Sequence, residues 1–234
     1  MTVRRIAALL LVAGSLAGCG GVGGGTTAGT ATLWITRDRG TVLLVDAKVA
    51  AGQTLMRALR TKAHVETRYG GRYVQSIDGI SGSLSAQHDW FWFVNGLAGD
   101  RSAAEYVLHP GDVAWWDYRD WSHDPELAVV VGAFPEPFLH GYGGSRRSVA
   151  VRYGPGLRAG ALKVSKTVRA VSVAPLGAPT PKSDDLFVLA SGPSRFVAVQ
   201  RSPGASPSSP VQLTYAGDVR RLLAGAYARR FSVP

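Results

Sequence analysis

Four consecutive aromatic residues, Trp90 to Phe93, constrain the fold of this chain more than any other feature. They stand in HDWFWFVNG, which ends in an Asn-Gly pair typical of a tight hairpin turn. In a strand, successive side chains point to opposite faces, so Trp90 and Trp92 share one face while Phe91 and Phe93 share the other. A single helix covers only one face of a sheet. We therefore expect one pair to pack on the core and the other to contact solvent, a ligand or a second domain.

The residues on either side of this strand predict an N-terminal domain that spans residues 31–121. TATLWITRDRGTVLLVDAKV indicates a β-hairpin around Asp38-Arg39-Gly40, and GQTLMRALRTK indicates a helix from Thr54 to Lys62 with Thr54 as its N-cap. Strands are expected at VETRY and RYVQSI, with a turn at Asp78-Gly79, and the last strand at DVAWWDYRD. This order, two strands, a helix and several more strands, predicts an α+β fold of the β-grasp type.

Four motifs in this region resemble the DUF4430 family. They are GQTLMRAL, YVQSIDGI, HDWFWFVNG and AAEYVLHPGDVAWWDY, which together cover roughly residues 43–118. The family domain is similar to the one that closes over cobalamin at the C-terminal end of transcobalamin and intrinsic factor. The resemblance implies a corrinoid as a possible ligand, contacted partly through backbone groups. By position it implies ligand contacts from Asp89, Trp90, Val94, Asn95, Gly96 and Leu97.

Further candidate ligand-binding residues follow from the alternation of side chains. Trp92, Trp116 and Tyr118 extend the aromatic surface, and Asp89, Asp117 and Arg119 would flank it. Flat amphipathic surfaces of this kind bind planar ligands, sugars or another protein. The alternative is that the second domain simply covers this face.

The N-terminus has the pattern of an export signal. A basic head, a short apolar run and the sequence LAGC predict a lipoprotein signal peptide at residues 1–18, with Cys19 as the lipidated residue. A chain with one cysteine cannot form an internal disulfide bond, which favours lipid attachment over an ordinary signal peptide. Residues 19–30, rich in Gly and Thr, are expected to be a flexible tether. The predicted location is the outer face of the cytoplasmic membrane or the cell envelope.

A second, small α+β domain is expected over residues 122–234. LAVVVGA and LKVSKTVRAVSVAPL are read as strands, and DLFVLASGPSRFVAVQRS as a hairpin about Gly192-Pro193. Residues 202–210 are expected to be disordered. A C-terminal helix is expected after the N-cap Asp218, with Arg229 near its end. The segment HGYGGSRR is either an anion site or a mobile surface turn. The residues that would form either one are Gly141, Gly143, Gly144, Arg146 and Arg147.

The charges and the motifs favour binding over catalysis. The formal net charge is +10, but its cations are scattered, which is typical of a basic body near an anionic membrane or cell wall rather than of a nucleic-acid-binding protein. The five His residues lack metal-site spacing, and no nucleophile elbow or phosphate loop is present. We expect no enzyme activity, no metal and no required cofactor.

These observations predict a lipid-anchored extracytoplasmic binding protein. By the resemblance, it would capture a corrinoid or another nutrient for a membrane transporter through its aromatic sheet face. The alternative is an envelope scaffold that contacts a transporter subunit or cell-wall glycan.

Overall fold

A computed structural model describes residues 29–202, 206 and 209–233. The predicted signal peptide, Cys19 and all but the last two residues of the predicted tether lie outside the described residues. So do residues 203–205, 207 and 208 of the loop that was expected to be disordered. Among the described residues, no helix has both the length and the apolar character that a bilayer crossing requires.

In the first half of the chain, the described residues form eight strands and one short helix. Their bounds are β1 Thr30–Arg37, β2 Val42–Ala50, α1 Leu55–Arg60, β3 Val65–Arg68, β4 Tyr73–Ile77, β5 Ile80–Ser81, β6 His88–Val94, β7 Leu97–Ala98 and β8 Val113–Asp120. Thr54 caps α1, as the sequence predicted, since its side chain accepts a hydrogen bond of 3.2 Å from the backbone N–H of Arg57.

Five of these strands form the main sheet, in the order β2-β1-β8-β6-β7. Strands β1 and β8 are parallel, and the other neighbours are antiparallel. The register places Trp92 opposite Trp116 and Phe93 opposite Trp115. One face of the sheet packs on α1, where Leu55 lies in the same hydrophobic core as Trp116. Strands β3, β4 and β5 form a small separate sheet beside it.

The second half is built on another five-stranded sheet with helices. Its elements are β9 Val149–Tyr153, α2 Arg158–Thr167, β10 Ser172–Pro175, β11 Asp185–Ala190, β12 Arg195–Gln200, β13 Val211–Ala216 and α3 Val219–Leu223. The strand order is β10-β9-β11-β13-β12, and only β12 is antiparallel to its neighbour. The α+β class is confirmed, whereas the β-grasp type stays a prediction.

Several predictions for the second half were wrong. The stretch LKVSKTVRA is mostly helix, because Ala161, Val164 and Val168 are buried at helical spacing and pack on the sheet. Strands β11 and β12 do not form a hairpin, because β13 lies between them and pairs with both.

Two other elements are shorter than the sequence predicted. Residues 129–131 are buried, but only Val129 makes a strand-like bridge, to Leu97. Helix α3 begins after Asp218, which caps it as expected, but ends at Leu223. Arg229 therefore does not complement the end of the helix and instead pairs with Asp46.

The second half covers much of the other face of the main sheet. A segment near the C-terminus, residues 229–233, forms backbone hydrogen bonds with Arg39 and Val131. Phe231 packs against Phe93 and Trp115, with ring centroids 5.2 Å apart in both pairs. Phe93 and Trp115 are therefore buried by the second half of the same chain. The sequence had left open this alternative, in which the second domain covers the aromatic face.

Candidate functional site

A groove of about 860 Å³ remains at the edge of the main sheet, beside β6. Its walls come from β4 and the turn before it, from β6 itself, from the segment after β7, and from the first residues of the second half. The lining residues are Tyr69, Arg72, Tyr73, Val74, Asp89, Trp90, Phe91, Trp92, Phe93, Ala98, Gly99, Arg101, Ser102, Ala103, Trp116, Arg119, Pro125, Glu126, Leu127, Ala128 and Gln200.

The groove exists because β6 has an incomplete outer edge. Strand β7 pairs only with Phe93 and Val94, and the bridge from Ser83 pairs only with His88. Between them, the C=O of Trp90 and the N–H of Trp92 have no hydrogen-bond partner among the described residues. These two backbone groups offer one acceptor and one donor to a ligand in the groove.

Two residues that line the groove also carry a buried side-chain donor without a partner in the described part of the chain. The donors are the indole Nε1 of Trp116 and the guanidinium Nε of Arg119. A buried donor that lacks a partner costs about 1–3 kcal/mol, and native proteins contain few of them. A ligand that supplies an acceptor to Trp116 would remove this cost.

The aromatic walls lie on both sides of the β6 edge. Trp92 is half-buried and packs near Tyr106, with ring centroids 5.6 Å apart. A Cβ at Gly99 would lie 2.1 Å from the Trp92 ring, so this position needs glycine. On the other side, the Arg119 guanidinium stacks over Phe91 at 4.1 Å from the ring centroid.

The polar rim of the groove is largely paired. The Tyr73 hydroxyl donates a hydrogen bond to Asp89, and burial together with this carboxylate raises the pKa of Tyr73. Arg101 donates two hydrogen bonds to Asp100, at 2.8 and 3.1 Å, which lowers the pKa of Asp100. Desolvation lowers the pKa of the buried Arg119. The groove therefore carries both signs of charge and does not select a strongly charged ligand.

The predicted site residues fall into two groups. Asp89, Trp90, Trp92 and Trp116 line the groove, although Trp90 is buried and its Nε1 donates to the C=O of Ile80 at 2.8 Å. The remaining candidates lie outside the groove: Val94, Asn95, Gly96, Leu97 and Tyr118.

The residues of the Asn-Gly turn have a structural role. Asn95 is fully buried, and its amide donates to Asp112 and to the C=O of Gly141, both at 2.8 Å. A Cβ at Gly96 would lie 2.7 Å from the C=O of Val130. The second half thus covers this turn and leaves no room for a ligand there.

Sequence reasoning missed two kinds of groove residue. Tyr73 could have been suspected, since the Gly70-Gly71 turn places it at the start of a strand beside β6. Leu127 and Ala128 carry no sequence signal, because they reach the groove only through the packing of the second half on the sheet.

The described residues form neither a cluster of metal ligands nor the anion site that the sequence suggested as one interpretation. They contain no group of three or more His, Cys, Asp or Glu side chains that could hold a metal ion. In the HGYGGSRR segment, Arg146 donates to the C=O of Arg169 at 2.8 Å, and Arg147 donates to the C=O of Ser183 at 3.2 Å. Both guanidinium groups thus fasten neighbouring backbone.

Comparisons with known proteins find a family match within the first half. Residues 52–120 match the family model described as a domain of unknown function, DUF4430. No curated protein sequence matches the chain.

Two solved structures resemble part of the chain. One is the crystal structure of a protein from Ruminococcus gnavus ATCC 29149 with a suggested metal-binding role. Its sequence is 16% identical to this one. The likeness covers 39% of this chain and 97% of that chain, with a TM-score of 0.34. The other, haptocorrin in complex with Cbi, is 14% identical, with a TM-score of 0.34, over 40% of this chain and 25% of that one. The match to the DUF4430 family model over residues 52–120 agrees with the four sequence motifs.

Proposed function

We propose that the groove beside β6 binds a small molecule and that the protein is a non-catalytic binding protein. The observation that carries the proposal is the set of unpartnered polar groups on residues that line the groove: the Trp116 indole N–H, the Trp92 backbone N–H and the Trp90 C=O. The cavity volume also falls in the range of about 300–1,000 Å³ that is usual for small-molecule sites.

A corrinoid is the first ligand to test. The sequence resemblance to cobalamin-capping domains implies it, and the groove supports it in two ways. Trp92 and Phe91 offer flat apolar surface, and the unpartnered backbone groups match the amide side chains at the rim of a corrin ring. The β-grasp type, which the order of strands and helix predicted, is part of the same proposal.

The cellular setting is part of the proposal. Lipid attachment at Cys19 would hold the groove outside the cytoplasmic membrane, near a transporter that receives the bound nutrient. Mass spectrometry of the mature protein for a diacylglycerol-modified Cys19 tests this part by itself.

Trp116 and its neighbour Trp115 provide a matched test of the site. The Trp116→Phe variant keeps an aromatic ring but removes the unpartnered N–H, so it should bind cobinamide or cobalamin about five- to tenfold more weakly, with a smaller loss of stability than Trp115→Phe. In Trp115→Phe, the N–H that is lost donates to buried Thr36 at 2.7 Å outside the groove. This variant should be less stable but should bind as the wild type does.

Isothermal titration of the full chain measures both effects, with thermal unfolding as the stability readout. If titration with cobinamide and titration with cobalamin both give no heat of binding, the corrinoid proposal is wrong. If a corrinoid binds with equal affinity to the wild type and to Trp116→Phe, the ligand does not occupy this groove.

An envelope scaffold is the second candidate, and the open β6 edge favours it. An extended segment of a partner protein can add to an unpaired strand edge through main-chain hydrogen bonds. A photo-crosslinking residue at exposed Arg101 would then trap a protein in intact cells, whether or not corrinoid is present.

A further inference from the structure

The positive charge of this protein lies almost entirely in its second half. Residues 29–121 contain ten Arg or Lys residues and ten Asp or Glu residues, whereas residues 122–234 contain fourteen and six. Three of these six acidic side chains, Glu136, Asp184 and Asp185, are buried. The exposed surface of the second half is therefore strongly cationic.

Helix α2 concentrates this charge on its outer face. Its inner face is buried through Ala161 and Val164. On the outer face, Arg158, Lys163 and Lys166 are exposed and have no ion-pair or hydrogen-bond partner among the described side chains. Leu162 stands between them, with 41% of its surface exposed.

Helix α3 continues the same layer. A Cβ at Gly160 of α2 would lie 3.0 Å from Val219 of α3, so the two helices are in contact. Leu222 faces the core, while Arg221 and Leu223 are exposed, the latter by 37%. We name this surface the α2–α3 face; it comprises Arg158, Leu162, Lys163, Lys166, Arg221 and Leu223.

We propose that the α2–α3 face docks on an anionic lipid membrane. Unpaired cations are attracted to the negative surface of a bilayer that contains anionic lipid, with about fivefold in affinity for each Lys or Arg near the surface. The two exposed leucines distinguish a bilayer from a soluble polyanion, because apolar side chains among cations insert into the headgroup region. None of these residues lines the groove beside β6, so the proposal is independent of the proposed ligand.

Vesicle binding by the full chain tests this proposal, with vesicles of phosphatidylcholine alone or mixed equally with phosphatidylglycerol. The variant Lys163→Glu/Lys166→Glu should bind the mixed vesicles more than about 25-fold more weakly than the wild type. The control is Arg57→Glu/Lys62→Glu, which makes the same charge change at exposed positions on and beside α1. It should lose much less affinity.

A second variant separates lipid from a general polyanion. Leu162→Gln should weaken binding to the mixed vesicles about tenfold while its binding to dextran sulfate is unchanged. Equal losses for the α2 and α1 charge variants would overturn the assignment of this face. If Leu162→Gln binds the mixed vesicles as tightly as the wild type does, the assignment to lipid is wrong. The face would then recognise negative charge alone.

Discussion

Asp117 shows how the alternation of β8 assigns different roles to neighbouring residues. Trp116 faces the α1 side of the sheet, whereas Asp117 faces the other side and is fully buried. Its carboxylate accepts hydrogen bonds from the backbone N–H groups of Arg39 and Gly40, at 3.1 and 2.9 Å, and from the Thr36 hydroxyl. Asp117 therefore fastens the β1–β2 turn and is not available to a ligand, although the sequence placed it beside the aromatic face.

Burial raises the pKa of Asp117 from 3.8 to about 6, despite the hydrogen bonds that oppose the shift. The folded protein thus binds a proton at this site more tightly than the unfolded chain does. The free energy of unfolding should fall as the pH rises from about 4 to about 6, by on the order of 3 kcal/mol for this group.

Asp117→Asn removes this titration. As the pH rises from about 4 to about 7, the unfolding free energy of the variant should increase relative to that of the wild type, whatever the difference between the two proteins at the lower pH. Urea unfolding at a series of pH values measures the difference. Parallel pH profiles for the two proteins would show that Asp117 does not titrate in this range.

At the scale of elements, local patterns predicted the first half much better than the second. The strands β1, β2, β4, β6 and β8 alternate apolar and polar residues or end at Gly-containing turns, so their positions follow from local sequence. In the second half, several strands are parallel and buried, and the order in which they pair is set by long-range packing. Val164 of α2 and Val168 at its C-cap favour a strand locally, but burial at helical spacing outweighs that preference.

The connection from β10 to β11 is an element that no local pattern reveals. Residues 176–184 cross the sheet without forming a helix, and Arg152 of β9 holds them in place. The guanidinium of Arg152 donates to the C=O groups of Ala178 and Pro179, at 3.2 and 2.5 Å. It is one of the few buried cations, with 5% of its surface exposed.

Arg152→Leu keeps the apolar volume but releases this crossing segment. We expect a loss of about 2–3 kcal/mol in unfolding free energy and faster trypsin cleavage after Lys182, which is exposed in the segment. Cleavage after Lys62, in the first half, serves as the internal control. An unchanged rate at Lys182 would show that Arg152 does not restrain the segment.

At the scale of the whole molecule, the two halves share a hydrophobic core. Phe231 completes the cluster of Phe93, Trp115 and Val130 on the face of the main sheet opposite α1. This shared core also explains the limit of site prediction from sequence. The alternation of β6 and β8 predicted that Trp92 and Trp116 share a face, and both line the groove, but which rings the second half covers depends on how the two sheets pack.

Phe231→Ala tests the shared core. All six Trp residues lie in the first half, so their fluorescence reports the unfolding of that half. The variant should lower the Trp-reported free energy of unfolding by about 3–5 kcal/mol, because it leaves a cavity beside Trp115. A Trp-reported transition that matches the wild type would mean that the halves unfold independently.

The position of Phe231 also has a consequence for biosynthesis. A ribosome adds residues from the N-terminus, so Phe93 and Trp115 leave the exit tunnel long before their partner near the C-terminus has been made. Until then, these rings are open to chaperones, and the nascent chain cannot reach its final compact state.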